Sequence, residues 1–160
     1  MNYVDGFHAS NSLSTSTLPF AAEAAWSAGK WTQLQRILGS SSEKVTGATI
    51  NFNVGVGRAL LALYKTEEAD FRNITAALRE NLSKSLSPSN THSLQACHDT
   101  MVKLHALYEI ETISGVMTST PPEREAILEN LDQRLDVIGA YTSDKQYLLG
   151  IRRATMLVSK

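Results

Sequence analysis

An all-α fold of about seven helices paired into hairpins is what this sequence predicts, and three observations carry the prediction. From Leu18 onward, apolar residues recur at spacings of three and four, and no segment shows the strict alternation of a half-buried strand. Two helix starts are written out as capping boxes, Thr120-Pro121-Pro122-Glu123 with proline at the first helical position and Ser143-Asp144-Lys145-Gln146. Near the amino terminus two tryptophans flank one glycine in Trp26-Ser27-Ala28-Gly29-Lys30-Trp31. The hairpins recur about every 35 to 45 residues, the range of TPR-like and HEAT-like solenoids. A compact helical bundle satisfies the same periodicity.

Residues 1–16 are polar and rich in Ser, Thr and Asn, which predicts a flexible leader before a helical-repeat segment over 17–160. The first helix runs from Leu18 to Ala28, with Ala21, Ala24, Ala25 and Ala28 expected to let another helix approach closely. Gly29 reverses the chain, and Trp31 opens the return helix with its ring in the elbow. Leu34, Ile37 and Leu38 continue that helix to Gly39, read as a left-handed cap before a loop through Ser40-Ser41-Ser42 to about Thr49.

A third helix carries Phe52, Val56, Leu60 and Leu63 on one face, with Gly55 and Gly57 offering small surfaces for close packing. Thr66 is expected to cap a fourth, whose first turn holds Glu67, Glu68 and Asp70 and whose stripe is Phe71, Ile74, Leu78 and Leu82. After the break at Ser87-Pro88-Ser89-Asn90, a long fifth helix shows Leu94, Cys97, Met101, Leu104 and Tyr108 in register. The sixth stripe is Ile127, Leu128, Leu131, Leu135 and Ile138, and the seventh is Tyr147, Leu148, Ile151, Thr155 and Val158. The last pattern is still running at Lys160, which predicts that the chain is truncated at its carboxy terminus.

Composition excludes several classes of function. With 15 Lys plus Arg against 16 Asp plus Glu, the net charge of -1 supplies no global field for nucleic acid or an anionic membrane. The single cysteine, Cys97, rules out an internal disulfide framework and fits a reducing compartment. No apolar run approaches the roughly 18 residues of a membrane span, and Met1 to Asn11 lack the pattern of a secretion signal. The sequons at Asn73 and Asn81 therefore read as ordinary helical positions.

Candidate chemistry is sparse. Gly55-Val56-Gly57 lacks the third glycine and the preceding strand of a dinucleotide loop, and no Walker-type phosphate loop occurs. Cys97, His98, His105 and Glu109 fall along one helix, but Cys97 belongs to the apolar stripe, so a core cysteine beside boundary histidines is the expected outcome. No serine sits in a nucleophile elbow, and no catalytic, cofactor-binding or metal-binding residue is assigned. Lys145, Arg152, Arg153 and Lys160 form a modest basic cluster in which Arg152 and Arg153 are expected to project away from the last apolar stripe. Lys145, Arg152 and Arg153 are accordingly the candidate interaction surface, and Trp26, Gly29 and Trp31 the structural hairpin.

The run Ala25-Trp26-Ser27-Ala28-Gly29-Lys30-Trp31-Thr32-Gln33-Leu34, followed by Phe52-Asn53-Val54-Gly55-Val56-Gly57-Arg58-Ala59-Leu60-Leu61-Ala62-Leu63, resembles the FAT region of the phosphatidylinositol 3-kinase-related protein kinases. The runs Arg134 to Gly139 and Ser143 to Ala154 resemble the ATR-type DNA-damage checkpoint kinases in their fungal form. The resemblance implies a helical scaffold segment of a nuclear serine/threonine kinase, packed against neighbouring repeats and a kinase domain, with an ATRIP-like regulatory subunit as a further partner. ATP and Mg would then be held by that kinase domain, since no kinase motif occurs in this sequence. An independent TPR-like protein-interaction module is the alternative reading, and a small helical enzyme a weaker third.

Overall fold

The computed structural model describes residues 16–39, 51–86, 93–116, 119–138 and 140–159. Among them every regular element is an α-helix: α1 (Leu18–Ser27), α2 (Trp31–Gly39), α3 (Phe52–Tyr64), α4 (Glu68–Ser85), α5 (Leu94–Val116), α6 (Pro121–Val137) and α7 (Thr142–Val158). The expected all-α architecture of seven helices is therefore present. The leader, apart from Ser16, and the loop after Gly39 lie outside the described residues, as does Lys160. No described helix is long and apolar enough to cross a membrane. The chain divides into two compact units within α4, after Leu78.

In the first unit α1, α2 and α3 pack on one another. The middle of α3 is buried on nearly every side, from Phe52 through Val54, Gly55, Val56 and Gly57 to Ala62, rather than along the single stripe the sequence suggests. Two glycines two residues apart, and so on opposite sides of the helix, make that possible by serving different neighbours. A Cβ on Gly55 would stand 2.5 Å from Leu78 Cδ2 of α4, and one on Gly57 would stand 3.3 Å from Leu34 Cδ1 of α2 and 3.7 Å from Ala22 Cβ of α1. The expectation of close approach at both glycines holds. In α1 the small buried residues are Ala21, Ala22 and Ala25, whereas Ala24 and Ala28, expected in the contact, face solvent. The helix turns about 100° per residue, and burial of Trp26 rotates both of them outward.

In the second unit α7 packs along α5 far more extensively than α6 does. The core consists of Ala106, Leu107, Ile110, Ile113 and Val116 of α5, Leu131 of α6, and Leu148, Ile151, Ala154 and Val158 of α7. The expected α7 stripe is buried except for half-buried Tyr147. The expected α5 stripe is not the core face: Leu94 is 91% exposed, Met101 is exposed, and Cys97, Leu104 and Tyr108 are half-buried. That helix carries a second apolar row through Leu107, Ile110 and Ile113, and the second row faces inward. On α6 only Leu131 is fully buried, and Ile127, Leu128, Leu135 and Ile138 are half-covered.

Three helix ends differ from expectation. Thr66 does not cap α4; it closes α3 with φ 60, and α4 begins at Glu68. Gly39 is the last residue of α2 and not a left-handed cap, Gly29 being the glycine of positive φ among the described residues. Helix α7 begins at Thr142, so Ser143 lies inside its first turn and does not cap it. The Thr120 box is in place: the backbone N and Oγ1 of Thr120 donate to Glu123 Oε2 at 3.0 and 2.8 Å. Those two bonds hold the Glu123 carboxyl below its ordinary range, the hydroxyl contributing most.

Candidate functional site

The two elbows of the first unit are built alike. At the first, Gly29 N donates to Trp26 O (3.1 Å) and Lys30 N to Ala25 O (2.9 Å), the paired bonds of a Schellman motif, with Gly29 at φ 66. At the second, Thr66 N donates to Leu63 O (3.0 Å) and Glu67 N to Ala62 O (2.9 Å), again with a left-handed residue at the same position. That residue is a β-branched threonine, a strained choice. Trp26 is buried to 1% exposure inside the first elbow. Trp31 is half-buried and does not fill the elbow; its ring stacks on Tyr64 at 5.8 Å and 21°, joining the start of α2 to the end of α3. Asn51, a cap that went unnoticed in the sequence, accepts from Asn53 N at 3.0 Å through its side chain. Asn53 in turn donates to Glu23 Oε2 at 2.7 Å, where burial pushes the Glu23 carboxyl up.

The basic residues of α7 do not form one surface. Lys145 stands 3.9 Å from Asp136 of α6, Arg153 is exposed, and Arg152 is 7% exposed. Arg152 was expected to face away from the apolar stripe, but it points into the core because a buried carboxylate waits there. Its Nε and Nη2 donate to Glu109 Oε2 and Oε1, both at 3.0 Å, Nη2 also donates to the Leu131 carbonyl at 3.0 Å, and Nη1 donates to Asp132. Glu109 is fully buried, and His105 Nε2 lies 3.4 Å from its Oε1 without hydrogen-bond geometry. Burial alone would raise the Glu109 carboxyl; His105 and the Arg152 guanidinium outweigh it and hold it below its ordinary value. The same Glu109 bonds raise Arg152 against the effect of its own burial. One arginine thus joins α5, α6 and α7.

The four residues considered as metal ligands do not converge. His98 Nε2 pairs with Asp144 Oδ2 at 2.8 Å and packs on the Tyr141 ring at 5.1 Å, while His105 and Glu109 belong to the arginine cluster. Among the described residues no three His, Cys, Asp or Glu side chains form a metal-binding group. A surface cleft of ≈ 390 Å³ beside His98 is lined by Leu94, Gln95, Tyr141, Ser143 and Asp144, and it is open to solvent. The neighbourhood can hold helices together by charge and ring stacking.

The family model for the FAT domain matches residues 18–160. No curated protein and no solved structure matches the chain.

Proposed function

The chain belongs to the FAT domain family, and from that premise we propose that it is a non-catalytic helical scaffold segment of an ATR-like DNA-damage checkpoint serine/threonine kinase. FAT domains are helical scaffold regions of the phosphatidylinositol 3-kinase-related kinases, and the match over residues 18–160 is the observation that carries the reading. In this role the segment supports and regulates a kinase domain that these residues do not include, and that domain holds ATP and Mg. Neighbouring repeats and an ATRIP-like subunit are the partners, and the nucleus is the place of action. The likeness of Ser143 to Ala154 to the ATR type supports the finer assignment. The scaffold role is supported by the use of the reactive side chains: Glu109, His98 and Arg152 are engaged in holding helices rather than gathered around a reaction centre. Exposed Leu149, Met156 and Leu157 on α7 give it an apolar face of the kind a solenoid neighbour covers.

The test is made on the full-length protein. Gly29→Val breaks the first elbow without touching a kinase residue, and it should lower damage-stimulated phosphorylation of Ser-Gln peptides and recovery of the regulatory subunit. Unchanged phosphorylation with an unfolded elbow would remove the regulatory role. A transcript that stops after Lys160, with the product binding peptides as a monodisperse monomer, would favour the independent TPR-like module instead.

A further inference from the structure

We propose that α6 is a detachable strut, latched to the α5–α7 pair by Arg152, and that it opens while that pair stays folded. The packing sets this up. Leu131 is the one fully buried side chain of α6, whereas α5 and α7 bury Leu107, Ile110, Ile113, Leu148, Ile151 and Ala154. Ile127, Leu128 and Leu135 add only half-covered apolar surface, and the polar ties of α6 include Arg152 to the Leu131 carbonyl and to Asp132, Lys145 to Asp136 at 3.9 Å, and Arg134 over the Tyr108 ring at 4.2 Å.

The arginine makes opening cheap in electrostatic terms. A buried guanidinium stripped of its partners is very costly, but Arg152 keeps its two-pronged bond to Glu109 when α6 leaves. It loses one carbonyl and one carboxylate, and that carboxylate is mostly exposed. Glu109 likewise keeps Arg152 and His105, both of them outside α6. The cluster therefore divides into a permanent half on α5 and α7 and a releasable half on α6. Once undocked, a helix of this length is marginal in water, so α6 melts and its amides exchange.

Hydrogen exchange of the complete chain, resolved by peptide, tests the latch. In the wild type, amides of Ile127 to Asp136 should exchange through an opening that leaves Ala106 to Ile113 and Leu148 to Thr155 protected. Asp132→Asn should speed α6 exchange about two- to fivefold while leaving α5 and α7 at their wild-type rates. Leu131→Ala should act in the same direction and more strongly on α6. Glu109→Gln should accelerate all three helices, because it removes the permanent half. Exchange of α6 in step with α5 and α7 in the wild type would overturn the proposal, and so would equal acceleration of all three helices by Asp132→Asn. Neither readout depends on kinase activity.

Discussion

Between Leu18 and Leu78 helices are brought together by leaving side chains out, and between Arg79 and Val158 by burying a charged one. In the first unit Ala22, Gly55 and Gly57 let neighbours approach to van der Waals distance, and Trp26 fills what space is left. In the second, three helices meet on the Arg152 guanidinium, with Glu109 fully buried beneath it. The first device fails gradually when a volume is changed. The second depends on the Glu109–Arg152 pair staying whole, because the loss of either one strands the other in a poor solvent. The contacts at Gly55 and Gly57 are therefore sensitive first to added volume, and those at Arg152 first to loss of a charged partner.

The largest expected effect breaks the second device. Glu109→Gln or Arg152→Met should cost about 3–5 kcal/mol, read from denaturant midpoints, because each leaves an uncompensated buried charge or polar group. Joint replacement, Glu109→Leu with Arg152→Met, should cost less than either single change; a larger, additive loss would mean that the pair is not coupled. Acid separates the units as well. The Glu109 carboxyl is lowered, so its contribution is complete above the unfolded-state value of 4.5 and is lost as pH falls through the lower folded value. Glu23 of the first unit is raised by burial, so its protonation favours the fold as pH falls through the raised value. Both tryptophans lie in the first unit, so their fluorescence should persist to lower pH than the amide NMR signals of Leu107 to Ile113.

In the first unit the counterpart of Arg152 is Trp26. Trp26→Ala should destabilise by about 3–5 kcal/mol, whereas Trp31→Ala, which removes a half-exposed ring stacked on Tyr64, should cost about 0.5–1.5 kcal/mol beyond the area it uncovers. Equal losses from both would mean that the two rings share the elbow, contrary to their burial.

This contrast also explains what could be read from sequence. The first unit was legible because its devices are local: Gly29 sits between two tryptophans, and Gly55 and Gly57 stand inside an apolar run. The ion cluster was not, because Arg152 and Glu109 are 43 residues apart and each looks like a surface residue in its own helix. An arginine between Ile151 and Ala154, both buried, was the available signal. The same hidden partner misled the reading of α5, where a charged residue in the core face made the other apolar row look the better stripe. Helix α6 was found from its capping box, but its partial cover was not foreseen, since periodicity gives a face and not the extent to which a neighbour covers it.

Glycine substitutions sharpen the comparison at a smaller scale. Alanine in a helix gains about 0.5–1 kcal/mol over glycine where space allows. At Gly55 the added methyl would meet Leu78 Cδ2 at 2.5 Å, so Gly55→Ala should instead destabilise by about 1–3 kcal/mol. At Gly150 of α7 nothing lies within 4 Å, and Gly150→Ala should raise the melting temperature. Stabilisation by both would show that α3 does not need its close approach.

The smallest effect isolates the elbow geometry from the packing around it. Gly29 and Thr66 occupy the same position of the same motif, at φ 66 and φ 60, and only one of them is suited to it. A residue with a Cβ costs about 1–2 kcal/mol in this conformation, while glycine costs the unfolded chain part of that gain. The Thr66 hydroxyl bond to the Lys65 carbonyl, at 2.6 Å and exposed, offsets little. Thr66→Gly should therefore stabilise the first unit by about 0.5–1 kcal/mol, and Gly29→Thr should destabilise it by a larger amount. If Thr66→Gly instead weakened the unit, the strain at the second elbow would have to be compensated by contacts of the threonine side chain, and the two turns would be alike in backbone only.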